Sequence, residues 1–264
     1  MSRPVVALLT DFGTSDHYSG TIKGVVLDIC PDANVVDISH DIPPHDVHTA
    51  SLELAASYKY FPFGTVFLVV IDPGVGSGRR ALAADTGNHR FVAPDNGVMT
   101  HVFRESSQQF VVELTERRYA RPTMSRTFEG RDRFAPAAAW IAKGVQLSSF
   151  GRQLSDYQLL ESSEAFVRND QIVGEVHQVD RFGNIMTNIG RQMFTSYAER
   201  GSLQIQIGNE SIGRVVDTYA DIGVGEVCGL FGSTERLEFA ANAESAVKRL
   251  AVALGAPVIV RRRD

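Results

Sequence analysis

Four short segments gather Asp, Glu and Arg with Gly and Asn more densely than turns alone require. The first, Thr10-Asp11-Phe12-Gly13-Thr14-Ser15-Asp16, directly follows an apolar run. In an open α/β sheet, ligands bind beyond the carboxyl ends of the strands. An aspartate there can accept both hydroxyls of a ribose, because its two oxygens match a cis-diol. The same spacing equally suits a helix N-cap, with Asp16 or Ser15 as the cap. The second segment, Ile71-Asp72-Pro73-Gly74-Val75-Gly76-Ser77-Gly78-Arg79-Arg80, makes a tight turn that exposes backbone. Asp72 and Arg79 can pair around a small pocket, or Arg79 can sit on the surface of an ordinary turn. In the third, Thr127-Phe128-Glu129-Gly130-Arg131-Asp132-Arg133-Phe134-Ala135-Pro136, Glu129 stands between an aromatic residue and a glycine. A helix with proline in its first turn follows, so a capped helix start with surface charges is the plain alternative. The fourth, Val179-Asp180-Arg181-Phe182-Gly183-Asn184, can hold an amine and a purine edge, or be a bare β-turn.

Other chemistries lack their signatures. There is no G-x-G-x-x-G or Walker loop, no H-E-x-x-H and no G-x-S-x-G elbow. The seven histidines, with His40, His45 and His48 close together, decide little. Cys30 and Cys228 match no zinc or redox spacing and are expected to be buried free thiols. No metal site is therefore expected.

The elements that must carry these loops alternate in the first part of the chain. Val5–Leu9, Val35–Ile38, Val66–Ile71 and Phe110–Leu114 read as strands, and Ala81–Asp85 with Arg90–Ala93 as a hairpin. Ile22–Ile29, Val47–Tyr60 and Phe134–Lys143 read as helices between them. Uninterrupted apolar strands separated by helices predict a mostly parallel sheet covered on both faces. Beyond Glu164–Asn169 short strands dominate: Ile172–Val179, Ile185–Asn188, Leu203–Ile207, Ser211–Val215 and Val258–Arg262. Their spacing predicts a small barrel or sandwich, with Ala243–Leu254 as the one clear late helix. The expected domains are residues 1–163 and 164–264.

Composition narrows the partners. The 264 residues are 44% hydrophobic and 22% charged, which is globular rather than disordered. A net charge of −5 argues against a nucleic-acid partner, and Arg261-Arg262-Arg263 reads as a solvated cluster. No run approaches the roughly 20 apolar residues of a membrane span. The five apolar residues after Met-Ser-Arg-Pro are too few for a signal peptide, so a cytoplasmic protein is expected.

Taken together, the loops carry a resemblance. They are T-D-F-G-T at 10–14, D-P-G-V-G at 72–76, F-E-G-R-D at 128–132 and D-R-F-G-N at 180–184. Further matches are I-C-P-D at 29–32, A-P-D-N-G at 93–97, T-N-I at 187–189, and Gly232-Ser233 through Asn242-Ala243. Their order resembles the S-adenosyl-L-methionine (SAM) hydroxide adenosyltransferases, the adenosine-forming SAM hydrolases related to fluorinase and chlorinase. The resemblance implies an N-terminal α/β/α sandwich plus a smaller C-terminal β-barrel. It implies a homotrimer with sites at subunit interfaces, and SAM plus water giving adenosine and L-methionine. SAM is then the substrate and no cofactor is needed.

By position, the resemblance implies that Asp11 binds the ribose diol. Asp16 and Ser233 hold the methionine end, with Asp180 assisting. Phe182 lines the adenine pocket, while Asn184 and the Asn242-Ala243 backbone read the purine edge. Asp72 and Arg79 match two members of a catalytic Asp–Arg–His set. The third is a departure: hydrolases of the family commonly have F-H-G-R-D, and this chain has Glu129. On this reading Asp72 orients the attacking water, Arg79 fixes Asp72, and Glu129 accepts the proton directly or through a second water. Two nearby carboxylates push one pKa upward while Arg79 opposes the shift, and spacing leaves the net sign open. A non-catalytic SAM or adenosine binder is the alternative. A halogenase is disfavoured by Asp72, and by the short Thr86-Gly87-Asn88-His89 link where halogenases have a longer insertion.

Overall fold

The computed structural model describes residues 3–161, 163–199 and 201–263. The chain divides into two compact units, Met1–Leu160 and Glu161–Asp264. In the first unit the strands are β1 (Val5–Thr10), β2 (Asn34–Ser39), β3 (Val66–Val70), β4 (Ala81–Asp85), β5 (Arg90–Pro94), β6 (Phe110–Glu113) and β7 (Gln153–Leu154). The helices are α1 (Tyr18–Ile29), α2 (Val47–Ser57), α3 (Thr100–Glu105) and α4 (Ala135–Ala142). Among the described residues the strand order is β2-β1-β3-β5-β4-β6-β7. The β2/β1, β1/β3 and β3/β5 pairs are parallel. The β4–β5 hairpin reverses direction, and β4/β6 and β6/β7 pair antiparallel. The mostly parallel sheet is thus finished by an antiparallel edge.

Side chains alternate across that sheet as the two-residue strand period demands. Val6, Leu8, Val66, Leu68 and Val70 pack on one face with Ile22 and Val26 of α1 and Ala138 and Ile141 of α4. Ala7, Leu9, Phe67 and Val69 pack on the other with Ala50 and Leu54 of α2 and Val102 and Phe103 of α3. These two apolar layers make the α/β/α sandwich. They explain why β1 and β3 read as unbroken hydrophobic runs. Cys30 and Cys228 are buried and free.

The second unit contains β8 (Phe166–Arg168), β9 (Gln171–Val179), β10 (Ile185–Gly190), α5 (Arg191–Ala198), β11 (Leu203–Ile207) and β12 (Glu210–Ile212). It continues with β13 (Val227–Phe231), β14 (Arg236–Ala241), α6 (Ala246–Leu250) and β15 (Pro257–Arg262). Among the described residues the order is β12-β11-β15-β9-β10-β14-β13, with β8 also on β9. All of these pairs are antiparallel. The chain leaving β12 bonds to β13 at the opposite edge: Gly229 N donates to Arg214 O (3.0 Å) and Val216 N to Gly229 O (2.9 Å). The sheet is therefore a nearly closed barrel.

Several elements differ from expectation for identifiable reasons. The late helix is α6 alone, because left-handed backbone at Ala243 (φ 58°) and Ala251 (φ 50°) bounds it. The expected strand Ser211–Val215 stops at Ile212. Strands β13 and β14 were not expected; Leu237 through Ala241 are all buried, which erases the alternating pattern. Helix α5 is mostly polar and shows only Phe194 and Tyr197 buried. Helix α1 starts at Tyr18 rather than Ile22. Among the described residues no helix is long and apolar enough to cross a membrane.

The loop between β3 and β4 depends on one glycine. Gly76 has φ 76°, and a Cβ there would lie 2.5 Å from the Arg126 carbonyl oxygen. Gly76→Ala is expected to lower Tm by roughly 2–8 °C, from the left-handed penalty and the backbone clash. Gly78→Ala, where nothing lies within 4 Å, is expected to leave Tm nearly unchanged. Equal melting curves for the two variants contradict this account of the loop.

Candidate active site

The loops after β1 and β3 meet the segment that enters α4 at the carboxyl ends of the parallel strands. They enclose a cavity of about 300 Å³ lined by Asp11, Asp16, Asp72 and Glu129. Phe12, Tyr18, Phe128, His45 and Val75 complete its walls. A second cavity of about 500 Å³ shares Glu129 but none of the three aspartates. The larger cavity sets Glu113, Glu116 and Glu129 among Arg117, Arg126 and Arg133, whereas the smaller one has four carboxylates and no Lys or Arg in its lining.

Arg79 sits behind it between two carboxylates. Its Nη2 donates to Asp72 Oδ2 at 2.5 Å and to Glu129 Oε2 at 2.8 Å. The three side chains are 6–11% exposed. The guanidinium also donates from Nη1 to the Arg80 carbonyl (2.9 Å) and lies 5.2 Å from the Phe134 ring centroid. Arg133 approaches Glu129 Oε1 at 3.7 Å. Asp72 Oδ1 is buried and has no hydrogen-bond partner among the described residues. One oxygen of Asp72 is thus fixed by Arg79 while the other keeps its lone pairs free.

The sign that spacing left open resolves upward. Burial raises the Asp72 pKa above the ordinary carboxylate value. Arg79 pulls it down, through its charge and its hydrogen bond, and Glu129 adds a push upward. Desolvation wins because the carboxyl is nearly sealed from water.

The A-P-D-N-G segment clamps this arrangement from both sides. Asn96 Nδ2 donates to the Ile71 carbonyl, immediately before Asp72 (2.9 Å). Asp95 accepts from Arg80 Nε, immediately after Arg79 (2.8 Å). Glu129 itself opens a single turn of π-helix, Gly130–Phe134, that leads into α4. Such wide turns recur at functional sites. Gly130 packs against Phe12, Phe128 and Val70, where a Cβ would make ordinary contacts of 3.4 Å. Asp132, expected on the surface in the plain reading, is fully buried on Arg131 and the Ser125 amide.

Asp11 Oδ2 accepts from the His45 amide at 2.9 Å. Asp16 is exposed and does not cap α1, whose N-cap position is His17 with no side-chain cap bond. Sequence reasoning missed the aromatic wall. Tyr18 stands edge-on to Phe128 (5.1 Å) and Phe12 lies 5.9–6.0 Å from both. The available signal was an aromatic residue beside or close to three of the four acidic ones: Asp11-Phe12, Asp16-His17-Tyr18 and Phe128-Glu129.

In the second unit, Asp180 organises its own turn. Its Oδ1 accepts from the amides of Phe182 (2.8 Å) and Asn184 (2.9 Å), and its Oδ2 from Asn184 Nδ2 (2.8 Å). Gly183, at φ 86°, packs so closely on Ser245 that a Cβ would fall 2.1 Å from its hydroxyl oxygen. The turn leaves Phe182 78% exposed and Asn184 buried. Asn242 bonds the Ile222 carbonyl through Nδ2 (2.7 Å), its own carbonyl accepts from Gly225, and Ala243 follows in left-handed backbone. Ser233 lies exposed in the β13–β14 turn. Because Ile185 faces Phe239 and Gly190 faces Arg236, the 180–184 turn lies toward the Asn242 end of β14. Ser233 lies toward the other end. Among the described residues no group of three or more His, Cys, Asp or Glu side chains is placed to hold a metal ion.

The comparisons agree along almost the whole chain. Residues 6–151 match the SAM hydroxide adenosyltransferase N-terminal domain, and residues 174–259 its C-terminal domain. A protein of Thermus thermophilus named (R)-S-adenosyl-L-methionine hydrolase is 35% identical, over 97% of this chain and 98% of its own. A protein of the same name from Salinispora tropica is 32% identical, over 96% and 95%. The crystal structure of an uncharacterized conserved protein from Thermotoga maritima superposes with a TM-score of 0.92 at 36% identity, covering 97% of this chain and all of that one. With both domain models matched in order, this chain belongs to the SAM hydroxide adenosyltransferase family.

Proposed function

We propose that this protein hydrolyses S-adenosyl-L-methionine: water attacks C5′ of the ribose and releases adenosine and L-methionine. The observation that carries the reading is the free, buried Oδ1 of Asp72 in a carboxylate-lined cavity, with its other oxygen held by Arg79. The substrate's sulfonium and ammonium are cationic, and a cavity with four carboxylates beside one guanidinium attracts them.

The leaving group is neutral methionine, so no acid is required. The attacking water needs alignment and a proton acceptor. Asp72 Oδ1 orients it, and burial makes that carboxylate a better base than a solvated one. Arg79 holds Asp72 and Glu129 through one nitrogen, and Glu129 is the second acceptor for the proton. No cofactor enters this reaction. A halide in the place of the water would face Asp72 at a cost of several kcal/mol at low dielectric.

Asp11 binds the ribose diol and Asp16 the amino-acid end. Asn184, Asn242 and Ala243 read the purine beside Phe182, and Ser233, with Asp180 assisting, holds methionine. Support for the purine end comes from β14: the turn carrying Phe182 and Asn184 lies toward the same end of that strand as Asn242 and Ala243. Three copies form a closed ring, with the second unit of one copy completing the cavity of the next. The exposed Phe182 ring supports that completion. A heterologous contact of this kind forms a ring where its rotation closes, here at three subunits.

Incubation with SAM, read by chromatography, is expected to give adenosine and methionine in equal amounts, with no 5′-halogenated nucleoside in excess chloride or fluoride. Intact SAM recovered from the active-state protein would make it a binding module instead. Sedimentation equilibrium is expected to return three times 28.9 kDa. A monomer that turns over SAM overturns the ring.

Substitutions separate the roles. Asp72→Ala is expected to lower kcat by roughly 10²–10⁴-fold. Glu129→Ala is expected to lose less, and Glu129→His to retain or raise activity. Because Asp72 must be ionised to act, activity is lost as pH falls through its raised pKa. The acid limb therefore lies above the ordinary carboxylate range. Arg79→Met, which removes the lowering charge, is expected to move that limb to higher pH. A dead Glu129→Ala beside a normal Asp72→Ala reverses the assignment.

A further inference from the structure

Behind Asp11 lies a buried polar connection that the proposed reaction does not use. The β1/β2 register shifts between Leu8 and Leu9, so that Leu9 faces Ser39 and His40 follows beside Thr10. Thr10 is fully buried and His40 is 5% exposed. Thr10 Oγ1 lies 2.7 Å from His40 Nδ1. The Phe12 amide donates to the same hydroxyl oxygen at 3.3 Å. The His40 carbonyl accepts from the Gly13 amide at 2.7 Å. Asp37 Oδ1 lies 3.1 Å from His40 Nε2, and Lys23 of α1 pairs with Asp37 at 2.6 Å.

One residue therefore grips the chain on both sides of Asp11: its ring at Thr10, its backbone at Gly13. The hydroxyl already accepts from Phe12, so its own proton is free to point at Nδ1. The other ring nitrogen, Nε2, is buried on the Asp37 side and makes no hydrogen bond among the described residues. Buried polar groups in such a network fix geometry, because breaking one bond leaves a donor or acceptor unpaired. The Asp11 carboxylate is itself held at Oδ2 by the His45 amide, five residues after His40. His45 keeps a left-handed backbone, φ 69°, to present that amide.

We infer that His40 is a positioning residue for ribose recognition, holding the Asp11 loop through Thr10 and Gly13 so that the Asp11 carboxylate is preset for a cis-diol. The inference rests on the proposed role of Asp11. A preset carboxylate distinguishes a diol from a single hydroxyl better than a mobile one does, because its second acceptor position is fixed in advance. His40 then acts on selectivity between sugars, which general stability does not change.

The test is calorimetric affinity of the full chain for adenosine and for 2′-deoxyadenosine. Wild type is expected to prefer adenosine, and Asp11→Asn to erase that preference. Thr10→Val keeps the shape of the buried side chain and removes the hydroxyl. It is expected to shrink the preference roughly two- to tenfold. Thr10→Ser, which restores the hydroxyl, is expected to restore the preference, and His40→Ala to reproduce the valine result from the other side of the bond. If Thr10→Val and His40→Ala keep the wild-type preference, or weaken both nucleosides equally, while Asp11→Asn erases it, the positioning role is wrong and the ribose role stands. If Asp11→Asn leaves the preference intact, the ribose role fails and the inference falls with it.

Discussion

A single guanidinium between two buried carboxylates governs this molecule. Arg79 faces Asp72 and Glu129 through the same nitrogen. Removing the arginine would leave two like charges facing each other in a sealed site, a strongly unfavourable state. Keeping it fixes one oxygen of Asp72 and leaves the other available. The surroundings serve that arrangement. The buried strand β3 delivers Asp72, Asn96 and Asp95 brace the loop at its two ends, and Phe134 stacks under the cation.

The cavity around the triad joins two physical demands. Carboxylates attract a cationic sulfonium and repel a halide. Aromatic walls from Phe12, Tyr18 and Phe128 give an apolar surface against which a sugar can be held with little water. The second unit has a different task. Asp180 spends its carboxylate on shaping a turn, and the turn sets out an exposed ring beside a buried amide. The barrel turn and the sandwich cavity thus differ in chemistry: one presents an exposed ring beside a buried amide, the other a cluster of carboxylates around a guanidinium.

Much of this was legible in the sequence because local rules coincide with the global fold. Val5–Leu9 and Val66–Ile71 read as buried parallel strands, and they are the strands that end at Asp11 and Asp72. The Asp72–Arg79 pairing was open at the level of spacing and is settled by geometry. Other features had no local signal. Glu129 meets Arg79 across fifty residues of sequence, and His40 meets Thr10 only because of a register shift between β1 and β2. Strands β13 and β14 were hidden by burial on both faces, and α6 by two left-handed residues that cut a longer helical pattern short. The sign of the Asp72 shift needed the burial of the finished site.

The central claim is that water held by Asp72 becomes the 5′-hydroxyl of adenosine. It is tested most directly by a single turnover of SAM in isotopically labelled water, with mass analysis of both products. The account predicts label in the adenosine 5′-hydroxyl in proportion to the enrichment of the solvent, and none in methionine. Unlabelled adenosine, or label in methionine, would contradict it.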